Sequence, residues 1–131
     1  MSLQFSTTLR NALLDAVEST IGTAPTLEIR TGAAPANCGT ADSGTVLATM
    51  TLPSDWMAAA SGGSKALAGT WEDLTADATG TAAHFRIKAG ATCHMQGTCG
   101  MGSGDLQLDN TSIATGQKVT ITSFTLTAPG V

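Results

Sequence analysis

Both tryptophans of this chain fall inside one stretch, Leu52–Asp73, LPSDWMAAASGGSKALAGTWED. With two Trp, three Phe and no Tyr among 131 residues, these rings are the largest apolar groups the chain owns. A Trp side chain removes a large apolar area from water, so in a chain this poor in aromatics Trp56 and Trp71 read as core anchors. The residues between them, Ala58–Ser64, are too small to build a core of their own. The stretch therefore reads as a loop clamped at both ends onto a sheet domain. Exposed tryptophans stacking on a sugar ring are the weaker reading.

Periodicity organises the rest. Ser6–Ile21 carries a helical pattern: Ser6 suits an N-cap, Leu9, Leu13, Ala16 and Val17 recur at helical spacing, and Gly22 stands where a helix stops. Arg10, Asn11, Asp15 and Glu18 form the opposite, polar face, so the apolar stripe is expected to pack on a sheet or to meet a partner. After Pro25 the period becomes two. Leu27 and Ile29 alternate with Glu28 and Arg30, and Val46, Ala48, Met50 and Leu52 share one face of a second strand. Thr31–Ser43 between them reads as an irregular loop around Cys38. Asp55 is placed to cap a short helical stretch through Ala60, and Leu67–Glu72 reads as a strand carrying Trp71.

Further on, Ala83, Phe85 and Ile87 alternate with His84, Arg86 and Lys88, and Ala89–Ala91 turns tightly into Thr92–Thr98. Cys93 and Met95 are expected on one side of that strand, His94 and Gln96 on the other. Gly97–Gly104 reads as a flexible hairpin tip, and Leu106 and Leu108 restart the alternation. In the last strand, Gln117–Ala128, Val119 and Ile121 are out of phase with Phe124 and Leu126. Both pairs are buried together only if the phase shifts, which predicts a bulge or bend near Thr122–Ser123. The pattern predicts a mainly β chain, a β-sandwich of jelly-roll or Ig-like type with one N-terminal α-helix. Residues 1–131 read as a single domain, with the helix at 6–21 and the sandwich at 25–128.

Charge narrows the function classes. Charged residues make up 12% and the net charge is −4 at pH 7, with the six basic residues scattered rather than clustered. That argues against a nucleic-acid partner. No apolar run approaches a membrane span, and MSLQFSTTLR lacks the pattern of a secretory signal. Three cysteines, an odd number, fit a reducing compartment, so the expected site of folding is a cytoplasm. A Thr/Ala/Ser-rich surface is cheap to desolvate, which favours assembly with other subunits.

No catalytic or cofactor site emerges. Cys93, His94 and Cys99, with Cys38 and His84, include zinc-ligand types, but their spacing does not match paired-ligand knuckles. Free thiols are the simpler expectation, with Cys93–Cys99 the local option for a disulfide. No G-x-S-x-G elbow accompanies His84 or His94, which read as solvent-facing strand residues. Gly100, Gly102 and Gly104 lack the lysine and following helix of a phosphate loop, and Asp105 with Asp109 makes a poor calcium site. The expectation is a protein without enzymatic activity, cofactor or metal.

Four blocks, SLQFSTTLRNALLDAVESTIG, LEIRTGAAPANC, LPSDWMAAASGGSKALAGTW and DNTSIATGQKVTITSFTLTAPG, together resemble small virion structural proteins of tailed bacteriophages and prophages. Members of that group look like capsid decoration or cement proteins, small β-sandwiches on an HK97-fold shell. The resemblance implies a homo-oligomer, dimer or trimer, that binds the major capsid protein on the capsid exterior after folding in the host cytoplasm. It also leaves a tail or neck accessory protein, with a receptor- or carbohydrate-binding role, as the alternative. It transfers no site residues one by one. The SDWMAAASGGSKALAGTW block is its most specific part, and Trp56, Met57, Ser61, Gly62, Gly63, Ser64 and Lys65 are the interface candidates, with Ala58–Lys65 presented to a neighbouring subunit.

Overall fold

The computed structural model describes residues 3–130. One helix, α1 (Thr7–Ile21), precedes ten strands: β1 (Thr26–Arg30), β2 (Val46–Thr51), β3 (Ser64–Ala66), β4 (Glu72–Asp73), β5 (Gly80–Thr81), β6 (His84–Ala89), β7 (Thr92–Gly100), β8 (Leu106–Leu108), β9 (Ser112–Ile113) and β10 (Val119–Thr127). The chain is mainly β with a leading helix, as its periodicity predicts. The strands form a curled mixed sheet in the order β2-β1-β6-β7-β8-β10-β3, with β4 also on β10 and a separate β5–β9 pair.

Strand β10 is the axis of one half. Its start pairs with β4, its middle with β8 and its end with β3. The register slips between Ile121 and Ser123, and burial passes from Val119 and Ile121 to Phe124. This is the phase shift that the sequence demands: one extra residue lets both apolar pairs face inward. β3 and β4 both come from Leu52–Asp73, so the tryptophan-bearing stretch lies along β10. The expected strand Leu67–Glu72 does not form: apart from Glu72 it is the connection between β3 and β4, turned at Gly69, which sits at φ +72 beside Pro53. Nor does the short helix after Asp55 form. Met57 bridges to Leu67, which keeps that backbone extended.

Trp56 and Trp71 are 0% and 1% exposed. Trp56 Nε1–H donates to the Gly22 carbonyl at 2.9 Å, and Trp71 Nε1–H to the Trp56 and Ala68 carbonyls, both at 3.1 Å. Ring centroids step from Trp56 to Trp71 (5.9 Å), to Phe124 (5.6 Å) and to Phe85 (5.6 Å, nearly perpendicular). Four of the five aromatic rings thus form one row across the core, in tilted and edge-on arrangements that suit their quadrupoles.

Helix α1 begins and ends as its sequence indicates. Ser6 Oγ accepts the Leu9 N–H at 3.1 Å, and Gly22 at φ +95 closes the last turn onto the Glu18 carbonyl. Its facing is rotated from the core-packing expectation, with Val17 alone of the expected stripe packing against the core. Arg10, Leu14 and Ile21 are buried, whereas Leu9 and Leu13 are 46% and 42% exposed. The cause is the surface beneath. α1 lies against the 58–66 backbone, whose N–H groups need acceptors, and polar side chains satisfy that need better than leucines.

Trp71 holds two chain segments through its ring and its N–H. Trp71→Ala is expected to lower the unfolding free energy by about 3–5 kcal/mol, checked by urea denaturation.

Candidate functional site

Three places deserve comparison as sites: the 58–66 segment, the exposed side of α1, and a polar layer on the outer face of the sheet.

The 58–66 segment is docked within its own chain. Asn11 Oδ1 accepts the Gly63 N–H at 2.8 Å and Asp15 Oδ1 the Ala60 N–H at 3.1 Å. Lys65 Nζ lies 2.7 Å from Asp15 and 2.9 Å from Glu18, and its side chain is 1% exposed. Those two carboxylates hold the ammonium charged despite burial, and the Lys65 hydrogen bond lowers the Asp15 pKa in turn. Of the interface candidates, Trp56, Met57, Gly63 and Lys65 are therefore buried, while Ser61 and Gly62 are exposed and Ser64 half-buried. Within Ala58–Lys65, the stretch expected to meet a neighbouring subunit, Ala58, Ala59, Ser61 and Gly62 face solvent, while Gly63 and Lys65 are buried beside α1. Neither tryptophan is free to stack on a sugar.

The two glycines differ in kind. Both have positive φ, +61 at Gly62 and +78 at Gly63. A Cβ on Gly62 meets open space, but one on Gly63 would overlap the Arg10 guanidinium, which donates to the Ala128 carbonyl at 3.0 Å.

The exposed side of α1 carries Leu9, Ala12, Leu13 and Ala16 at i, i+3, i+4 and i+7, all solvent-facing. The stripe continues into a groove between α1 and β7 lined by Val17, Thr20, His94 and Met95. The sequence marks Leu9, Leu13 and Ala16 as one stripe with Val17 and leaves its destination open, since an apolar stripe looks the same whether it packs inward or waits for a partner.

The polar layer lies under the 31–45 loop. Strands β1 and β6 pair Glu28 with Arg86, Arg30 with His84 and Thr26 with Lys88, so these side chains share the face opposite Leu27, Ile29, Phe85 and Ile87. Asp42 from the loop is in contact with three cations: Arg86, Arg30 at 3.1 Å and Lys88 at 2.6 Å. Glu28 pairs with Arg30 at 2.9 Å and Lys88 at 3.0 Å. Arg86 donates to the carbonyls of Asn37, Cys38 and Thr40, and Gln96 to that of Pro35 at 2.7 Å. His84 is 1% exposed, with its Nδ1–H on the Gly32 carbonyl at 2.7 Å, so it is a buried anchor and not the solvent-facing residue expected. Arg10, Arg30, Lys65, Arg86 and Lys88, five of the six basic residues, are buried, four of them against carboxylates and Arg10 against the Ala128 carbonyl. Charged groups unpaired at such depth would be costly, and pairing removes most of that cost.

A β-bulge decides what else enters the layer. Lys88 pairs with Cys93 but Ile87 pairs with Met95, so His94 is an inserted residue. Cys93 consequently shares the polar face, while Met95 packs against the core, contrary to the expectation that both point one way. Cys93 meets Cys38 there. Cys99 sits in the core, its thiol pushed up to about 11 by burial, so the Cys93–Cys99 option is replaced by a Cys38–Cys93 pair.

The glycine-dense 97–104 segment is not the hairpin tip expected: residues 97–100 are the end of β7, and 101–105 connect it tightly to β8, with which it pairs in parallel through Cys99–Leu106 and Gly100–Gln107. Asp105 Oδ2 accepts the Thr98 N–H and hydroxyl, and Asp109 Oδ1 the Thr120 N–H, so both carboxylates brace turns. Among the described residues no group of three or more His, Cys, Asp or Glu is placed to hold a metal ion, and no helix is long and apolar enough to cross a membrane.

Two outcomes follow from this geometry. Gly62→Ala is expected to cost only the left-handed backbone penalty, about 1–2 kcal/mol, and Gly63→Ala at least about 1 kcal/mol more, because Arg10 must leave its carbonyl; equilibrium denaturation of the two variants checks the order. Hydrogen bonding from Lys88, then Arg86 and the charge of Arg30, holds Asp42 down to about 2 from an ordinary 3.8, against the effect of burial. The stability this confers is complete above pH 3.8 and is lost as pH falls through about 2. Asp42→Asn should therefore be less stable than the parent at neutral pH, and the gap should narrow across that window in urea titrations.

No protein-family model, no curated protein and no solved structure matches this chain.

Proposed function

We propose that this chain is a non-enzymatic structural protein of a tailed-bacteriophage virion, a decoration or cement protein that binds and stabilises an icosahedral shell from outside. The observation that carries this reading is the solvent-facing stripe Leu9, Ala12, Leu13 and Ala16, which leaves two leucines 46% and 42% exposed on a regular helix. Apolar groups lined up on a rigid helix suit burial against another subunit. The low charge supports the same reading. With five of six cations internal, the surface around the stripe costs little to desolvate.

In this reading the curled sheet is a folded-over sandwich of jelly-roll or Ig-like type, with β10 serving both halves. The docked 58–66 segment then acts as a buttress for α1, and the residues of the most specific sequence block hold the contact surface in place without forming it. The partners are the major capsid protein and a second copy of this chain. Each contact can be modest, because a repeating lattice converts weak single-site binding into firm attachment.

Leu9→Asp with Leu13→Asp tests the stripe. The double variant should keep the parental circular dichroism and melting temperature within a few degrees, since both side chains are already exposed, while losing binding to purified shells that lack this protein. Normal binding and normal gain of shell stability would overturn the assignment of the surface. Failure of the unmodified chain to bind any shell, or cryo-EM density confined to the tail or neck, would overturn the decoration reading itself.

A further inference from the structure

Cys38 and Cys93 are 55 positions apart in the chain, and their sulfurs lie 2.8 Å from one another. Two independent features of the fold bring them there. On one side, the bulge at His94 turns Cys93 out of the core and onto the polar face beside Lys88. On the other, the Arg86 guanidinium grips the Asn37, Cys38 and Thr40 carbonyls at 3.2, 3.0 and 3.1 Å, which fixes the loop backbone around Cys38. Both thiols are partly exposed and line a shallow cleft with Gly39–Asp42, Arg86, Ala91 and Thr92, so a small oxidant can reach them. A disulfide places its sulfurs about 2.0 Å apart, so the pair must close by less than about 1 Å.

We propose that Cys38 and Cys93 form a redox latch: an intrachain disulfide that ties the 31–45 loop covalently to the β6–β7 hairpin. The oxidant is a small organic disulfide such as oxidised glutathione. One cysteine thiolate attacks a sulfur of the oxidant and expels a thiolate, giving a mixed disulfide. The second cysteine thiolate then attacks the protein sulfur of that mixed disulfide and expels the other thiolate. The two cysteines lose two electrons and two protons, and the oxidant gains both as two thiols. Burial and the hydrogen bond and charge of Cys93 push the Cys38 thiol up to about 11 against the pull of Arg86, so exchange accelerates as pH rises. Reduced, the loop is held by non-covalent contacts alone, the ion pairs of Asp42 and the hydrogen bonds that Arg86, Gln96 and His84 make to its carbonyls. Oxidised, it is also held by a bond that closes a long stretch of chain and restricts the unfolded state.

The test uses the full chain, purified with reductant, freed of it, and incubated with excess oxidised glutathione at about pH 8. Thiols titrated under denaturing conditions should fall from three to one. The intact mass should drop by two hydrogens without a glutathione adduct, and peptide mapping should join Cys38 to Cys93. The melting temperature should rise by about 5–15 °C and return on reduction. Cys99→Ala should retain the bridge, and Cys38→Ser, folded by circular dichroism, should show neither bridge nor rise. Three persistent thiols, a stable glutathione adduct, a bridge that includes Cys99, or a Cys38–Cys93 bridge without a rise in melting temperature would each overturn the latch. The peptide map on the unmodified chain decides the pairing even if a variant fails to fold.

Discussion

Asp42 is one carboxylate facing three cations, and the loop that carries it depends on that contact. Arg30, Arg86 and Lys88 project from the sheet face that has no apolar cover, and the 31–45 loop folds down to neutralise and enclose them. Without Asp42 the layer would hold three cations and one carboxylate at a depth where unpaired charge is expensive. The loop in turn supplies backbone carbonyls to Arg86 and Gln96, so its irregular course satisfies buried donors that no regular strand could reach. The same device recurs at α1, where Lys65 is enclosed by Asp15 and Glu18. A chain with few large apolar side chains thus extends its interior with ion pairs on both sides of a narrow aromatic row.

How much of this is legible in the residues depends on the range of the interaction involved. Ser6 and Gly22 mark the ends of α1 because capping is local chemistry. The slip in β10 is legible because two apolar pairs in opposite phase leave a strand no regular alternative. The facing of α1 is not legible, since it depends on the 58–66 backbone that the helix meets, and backbone donors carry no side-chain signature. The bulge at His94 is likewise silent. Thr92–Thr98 alternates acceptably without it, yet that one inserted residue moves Cys93 to the opposite face and creates the Cys38 contact. His84 misleads for a related reason: alternation on β6 is correct, but the loop buries the polar side as well.

The tryptophan-bearing stretch, Leu52–Asp73, lies along β10 and joins it to α1, with Trp56, Met57, Gly63, Lys65 and Trp71 turned inward and Ser61 and Gly62 left at the surface. Distinctive sequence there reflects the many constraints that act on Trp56, Gly63, Lys65 and Trp71 together. The accessible apolar surface lies one layer further out, on the helix that this stretch supports. Exposed stripe and support are therefore different residues, and a change in the support can alter the stripe without touching it.

The link between Arg10 and the Ala128 carbonyl spans 118 positions of chain. Phe5 N–H adds a second such tie, to the Gly130 carbonyl at 2.8 Å. Ordering these contacts requires the closure of a loop nearly as long as the domain, and the entropy of that closure is lost before the contacts form. A topology of this kind folds slowly compared with a helical chain of equal length, because few of its contacts are local. Without β10 in place, the aromatic row lacks Phe124, and Arg10 and Gly63 both lose Ala128, which accepts from the first and donates to the second. The molecule is in this sense a ring closed by contacts between α1 and the segment that follows β10, and the strand that completes the aromatic row also carries the chain to that closure.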